Sequence, residues 1–378
     1  MATPTLEAFD PANLTAGKTY VVSANTTLSS NLTIPDDVTL YFMGGIISGN
    51  NVDLTGTRTK IVAAIKQIFG TTLNVKGTWE IERAYPQWFG AKAYTGITNN
   101  SIDSAPAINK AINMKQTGEV FIPRGHYRVN CPIEVKHGIR LIGEPGFQQD
   151  LAPSELSTVL VPGGVDVNGN ADITKYNPGG YLVRVNVNSA GNNWVIAYPP
   201  KATVIKNLFF FNEFKNITSL KGILAAGTIE IDSCNWMRFK QAFSSVSVYT
   251  DGRKITKCAY YNAASQDSLK TPLYAFDINS LGDALVFEQN HILYDERSKG
   301  LYIDHCNSGS INANVINNEI CIQNSKAITF TANHIEDGAQ LIINDSNVTS
   351  MNNFFQKGEV PSIKVNTPTP ESNAPVVK

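Results

Sequence analysis

From residue 204 onward one phrase keeps returning: an apolar residue, a short polar pair, Asn, then an aromatic or branched residue. It reads VIKNLFF (204–210), IDSCNWM (231–237), FEQNHI (287–292), VINNEI (315–320), FTANHI (330–335) and SMNNFF (350–355). Aligned this way the recurring residues are Asn207, Asn235, Asn290, Asn318, Asn333 and Asn353, and ITKCAYY (255–261) fits the same frame without its Asn. The period leaves no room for crossover helices, so short strands must be joined directly by turns into stacked coils. Stacking places like residues in ladders about 4.8 Å apart, and the Asn side chains are expected to bond their copies above and below at the turns. Cys234 and Cys258 fall in one slot of adjacent coils, as an interior ladder requires. The competing architecture is an irregular β-sandwich, which shows similar alternating strands.

A solenoid exposes strand edges at its ends and needs them covered. The stretch DSAPAINKAINMKQTGEVFIPRGHYRV (103–129) contains one helix, expected over about 104–114. Asp103 and Ser104 are N-cap residues, Pro106 suits the first turn, and Ala107, Ile108, Ala111 and Ile112 form one apolar stripe. Gly118 ends it, and period-two alternation follows. The helix is read as a cap on the first coil. Residues 1–82 read as a small β module, 83–358 as the coil stack, and the Pro- and Ser-rich 359–378 as a tail.

Composition narrows function. Charged residues are only 17% and the net charge is −1, which gives no electrostatic basis for nucleic-acid binding. No apolar run reaches a membrane span, and the N-terminus shows no leader pattern, so a cytoplasmically made product is expected. Five cysteines lack metal or disulfide spacing and are expected as small buried apolar residues. No phosphate loop, nucleophile elbow or zinc signature is present, and neither a cofactor nor a metal is expected.

The runs YPQWFGAKA (85–93), DSAPAINKAI (103–112), GEVFIPRGHYRV (118–129) and IRLIGEPG (139–146) resemble the opening of the pectate-lyase-like right-handed parallel β-helix superfamily, which includes phage tailspike depolymerases. LTIPDDVTLYFMGGIISG (32–49) with WFGA looks like the version found in Bacteroidota and their phages. The matching residues build the fold, and none of them is a catalytic residue to carry over. The resemblance implies an all-β, right-handed parallel β-helix, and a homotrimeric tailspike or tail-fibre protein. It would work beside other virion tail proteins and bind, or depolymerise, a bacterial surface polysaccharide. Two other readings are a secreted polysaccharide hydrolase or lyase and a non-catalytic virion rod.

A site in such a fold is assembled from outward residues of neighbouring coils. Aligning YAFDIN (274–279) with LYIDH (301–305) so that Phe276 meets Ile303 sets Asp277 over Asp304. Carboxylates stacked about 5 Å apart are the spacing of retaining glycosidases. Tyr302, His305 and Trp236 are candidates for sugar contact, and Glu288 for a further carboxylate. Solvated or turn-forming Asp is the bland reading of the same pair. Glu336 and Asp337 read as a solvated turn, and His291 and His334 as members of the turn ladder. Trp79 and Trp88 read as packing between module and cap, while Trp194 is a further platform candidate. No dense Asp cluster offers calcium ligands, which weighs against calcium-dependent pectate-lyase chemistry.

Overall fold

The computed structural model describes residues 6–95, 101–146, 157–163, 172–177, 179–187, 202–213, 220–246, 252–261, 273–279, 282–293, 299–317, 319–336, 339–355 and 364–366. Trp194, Asn318, Asp337 and most of the expected tail lie outside the described residues.

The coils are real and have three sides. One coil consists of the strands Leu285–Glu288, His291–Leu293 and Lys299–Asp304, and each pairs in parallel with the strand three places later in the chain. Stacking gives sheets of ten, nine and nine strands, called I, II and III in that order. The architecture is a parallel β-helix, and the chirality of β-strand crossovers makes a right-handed winding the expected one. Lys364–Asn366, inside the expected tail, adds a rung to sheet III.

The core is a set of ladders. Ile205, Ile231, Ile255, Phe287, Ile311 and Phe330 stack in register as an inward column of sheet I, each almost fully buried. Branched and aromatic side chains suit such a pleated, covered surface. The column ends at Ser350, which is exposed, so the apolar interior gives way to polar groups on the last described rung of that sheet.

The turn from sheet I to sheet II repeats one backbone solution. Asn207, Ser233, Lys257, Gln289, Ala313, Ala332 and Asn352 all sit at φ between 53° and 57°, a left-handed corner. The residue after each corner points inward, and from Asn290 onward it is always Asn: Asn290, Asn314, Asn333 and Asn353. Asn290 N and Nδ2 both donate to Asn314 Oδ1 (2.9 and 3.1 Å), and Asn314 repeats this toward Asn333 (3.0 and 2.9 Å). Asn333 repeats it toward Asn353, at 2.9 and 3.0 Å. The expected ladder exists, with a corrected membership. Asn207 occupies a left-handed corner and Asn235 an outward position on sheet II; Leu208 and Cys234 hold the corresponding inward slots. Asn314 is the member between Asn290 and Asn333. Cys234 and Cys258 share the slot as expected, and Cys258 Sγ reaches Ile231 O at 3.8 Å where Asn290 Nδ2 reaches Ile255 O at 2.9 Å. All five cysteines are free; four are buried and Cys131 is half-buried.

Helix α1 (Ala105–Lys115) covers the first coil. Asp103 Oδ1 accepts from Ala105 N and from Asn130 N, both at 3.0 Å, tying the helix start to that coil. Ser104 makes no side-chain cap bond, and the helix ends on Gln116 at φ 59°. The N-terminal module lies against the other side of α1. It contains a six-stranded and a two-stranded parallel sheet. Lys110 Nζ donates to Leu73 O (2.9 Å) and to Thr71 O, and Gln116 Nε2 to Gly77 O at 2.7 Å. Trp79 and Trp88 are buried at this junction as expected, with Phe69 between Trp79 (6.1 Å) and Phe89 (5.4 Å). The helix is therefore an internal layer within one apolar core that extends from Tyr20 to Ile343.

Candidate functional site

The strands Tyr274–Asn279 and Lys299–Asp304 are neighbours in sheet III, as the site requires, but their register differs from the expected one by two residues. Phe276 meets Leu301 and Ile278 meets Ile303, so Asp277 lies opposite Tyr302 and Asn279 opposite Asp304. Because Phe276, Ile278, Leu301 and Ile303 are fully buried inward, all four polar residues face out. The two carboxylates are diagonal rather than stacked. Strands 4.8 Å apart, offset by two residues, put the two Cα atoms about 8 Å apart.

The diagonal pair lies in an aromatic and polar face. The Tyr274 and Tyr302 rings are 5.0 Å apart, and Gln323 Nε2 on the next rung donates to Tyr302 OH at 2.5 Å. Tyr274 OH donates to Glu319 Oε1 at 2.5 Å, which also takes Lys299 Nζ at 2.8 Å. On the other side, Lys221 Nζ lies 4.7 Å over the Tyr181 ring. Burial pushes the Asp277 carboxyl above its ordinary range, the Asp304 charge adds to this, and Lys221 opposes both. Burial lowers the Lys221 amine, against the pull of Asp277. Burial, with the Asp304 charge, pushes Tyr302 up to about 12.

Asp304 has a different setting. It is 7% exposed, and its Oδ1 receives Asn324 Nδ2 at 2.9 Å and lies 2.7 Å from His305 Nδ1. The Asp277 carboxyl is pushed toward its neutral form, while the Asp304 carboxyl has two nitrogen neighbours.

The family model described as "Rhamnogalacturonase A/epimerase, pectate lyase-like" matches residues 89–159. That segment is pectate-lyase-like. It spans α1 and the first coil, so the match bears on the fold, and Asp277, Asp304 and the residues around them lie outside it. No curated protein matches the chain. Among solved structures, a chain described as ORF18 of Geobacillus virus E2 aligns at 12% identity with a TM-score of 0.30, over 76% of this chain and 60% of that one. A likeness at that level carries no argument.

Along the parallel β-helix the remaining candidates separate. Trp236 is 1% exposed and stacks on Phe210 at 5.3 Å inside the core, where no saccharide can reach it. Glu288 ends a strand of sheet I, where it accepts from Ser310 Oγ at 2.9 Å; it belongs to another side of the prism from the Asp pair. His305 stays with the site, half exposed and against Asp304. His291 and His334 are outward strand residues of sheet II with Val315 between them, rather than turn residues. Glu336 follows the strand His334–Ile335 on that side and is remote from the pair. Tyr181, Lys221, Tyr274 and Gln323 were not singled out in the sequence. Tyr274 opens the same YAFDIN phrase as Asp277, and the others become visible only once rungs are paired. Among the described residues no group of three His, Cys, Asp or Glu side chains is placed to hold a metal, and no helix is long and apolar enough to cross a membrane.

Proposed function

We propose that the chain is a phage tailspike or tail-fibre protein that binds and depolymerises a bacterial surface polysaccharide on the outer face of sheet III. The observation that carries this reading is the diagonal Asp277–Asp304 pair with contrasting surroundings, set among Tyr274, Tyr302 and Lys221. A carboxyl pushed toward its neutral form is suited to act as an acid, with a neighbouring carboxyl available as the base. Asp277, buried and repelled by its neighbour, is the general acid that protonates the leaving glycosidic oxygen. Asp304, held by Asn324 and His305, is the base. The diagonal register sets the two side chains further apart than direct stacking would, which favours the wider spacing of inverting glycosidases over the retaining spacing expected from the sequence. Tyr274 and Tyr302 supply ring faces for sugar stacking. The virion setting rests on the resemblance of residues 85–146 to the opening of the pectate-lyase-like superfamily, which includes phage tailspike depolymerases. Residues 1–82 serve to cover the end of the coil stack, since they share its core through α1.

The test is reducing-end release from a panel of capsular polysaccharides, with the anomeric configuration of the first product read by NMR. Asp277→Asn and Asp304→Asn should each abolish release, and the new reducing end should be inverted. Full activity in both variants would overturn the assignment. Lys221, its amine lowered by burial beside Tyr181, favours a second reading: β-elimination from a uronate with Lys221 as base. That chemistry would reveal itself by the ultraviolet absorbance of an unsaturated product.

A further inference from the structure

A cleft lies between the N-terminal module and α1, at the end of the coil stack opposite the later rungs that carry Asp277 and Asp304, with a volume of about 400 Å³. Its walls come from three places in the chain. Asn74 and Lys76 belong to the module strand Asn74–Glu80, Lys110 and Asn113 to α1, Gln116 to the residue that closes the helix, and Lys136 to the turn after the strand Ile133–Val135. A valine and a glycine complete it. No acidic side chain lines it, and every polar side chain that does can donate a hydrogen bond.

The charge is only partly offset. Lys76 pairs with Asp53 at 2.7 Å, and the Asn74 amide also points to that carboxylate at 3.2 Å. Among the described residues neither Lys110 nor Lys136 forms an ion pair. The Lys110 amine is anchored on the carbonyls of Thr71 and Leu73, which fixes its position but leaves its charge without a counter-ion. Burial accordingly lowers its affinity for the proton. A cleft with one anchored amine, two further lysines at its mouth and no carboxylate on its walls is complementary to a compact anion with several oxygens.

We propose that this cleft binds a phosphate group, either free or as a phosphate ester on a sugar. The bound group would bridge Lys76 of the module, Lys110 of the cap helix and Lys136 of the first coil, so ligand binding and the docking of residues 1–82 would reinforce each other. This site is independent of the sheet III face, and loss of one leaves the other testable.

The experiment is calorimetric titration of the full-length chain with inorganic phosphate, at ionic strength held constant with sodium chloride. Parallel arms use glucose 6-phosphate and glucose. Lys136→Ala and Lys76→Ala remove surface amines that have no role in the core, and circular dichroism checks their folding. The wild type should bind phosphate, each variant should weaken binding at least about five-fold, and glucose alone should give no signal. Tighter binding of glucose 6-phosphate than of inorganic phosphate would assign the sugar ester as ligand; the reverse would assign free phosphate. Absence of binding by the wild type, or equal affinity in wild type and both variants, would overturn the proposal.

Discussion

Truncating the Asn ladder tests whether burial or bond number holds the coils together. Asn333→Ala and Asn353→Ala remove equivalent side chains from consecutive rungs. Asn333 donates to Ile311 O and Asn353 Oδ1 (both 3.0 Å) and accepts from Asn314 N and Nδ2 (3.0 and 2.9 Å). Asn353 donates to Phe330 O and Ser350 Oγ (both 2.9 Å) and accepts from Asn333 N and Nδ2 (2.9 and 3.0 Å). The bond inventories are the same, but Asn333 is 1% exposed, whereas Asn353 is half-buried on the rung where the core column turns polar. At about 1 kcal/mol per net hydrogen bond, with no water to satisfy the stranded Asn314 donors, Asn333→Ala should cost roughly 4 kcal/mol. Water can replace the partners of Asn353, so its truncation should cost about 1 kcal/mol. Urea denaturation, fitted with m left free because a solenoid can unfold rung by rung, reads both values. Equal costs would show that bond number decides, and a cost under about 1 kcal/mol for Asn333→Ala would refute the ladder as the element that fixes the coils.

Four further outcomes follow from the same geometry. Asp277→Asn and Asp304→Asn should each lower the rate of reducing-end release by about 10²–10⁴-fold with the fold intact by circular dichroism, as expected for lost acid–base catalysis. The folded state holds the Asp277 proton more tightly than the unfolded chain, so this group's stabilisation is full below its unfolded pKa and is lost as pH rises through the raised folded value; Asp277→Asn should flatten that limb in melting curves taken across pH. Trp236→Ala should cost roughly 3–5 kcal/mol in urea denaturation by emptying the stack on Phe210, while Tyr302→Ala should leave stability nearly unchanged and weaken glycan binding in an affinity titration. Sedimentation should show an elongated trimer, and a compact monomer would count against the tail-protein reading.

The fold was legible in the sequence because its determinants are local and repeated. The inward column of Ile and Phe on sheet I, the Cys234–Cys258 slot and the later Asn residues each recur once per coil, and α1 is flanked by readable start and stop residues. What was not legible is which residues meet across rungs. Trp236 looked like a platform because sequence shows an aromatic residue in a strand but not which side of the strand it takes once coils are counted correctly. The Tyr181–Lys221 contact joins adjacent rungs separated by loops of irregular length, so no periodic signal announces it.

The displacement of Asp304 against Asp277 has a general cause. Slipping one strand by one residue turns its whole apolar set outward, which burial forbids, but slipping it by two preserves the alternation completely. Periodicity therefore cannot choose between direct stacking of the two carboxylates and a diagonal. The corners that close the later strands of sheet III form a ladder of their own. His305, Asn324 and Asp345 are all left-handed, at φ 54°, 48° and 46°, and each is followed by a small residue that joins a second ladder. Cys306 N donates to Ser325 Oγ at 3.1 Å and Ser325 N to Ser346 Oγ at 3.0 Å. Those bonds tie the ends of the later sheet III strands to one another, with Asp304 level with Gln323. Two of these corner residues, His305 and Asn324, also contact Asp304 Oδ1 through their side chains, so the corners that end the strands position the proposed base as well. Ser325→Ala removes the acceptor of Cys306 N, two residues beyond Asp304, and should lower reducing-end release with the fold intact by circular dichroism; unchanged release would show that this corner does not position Asp304.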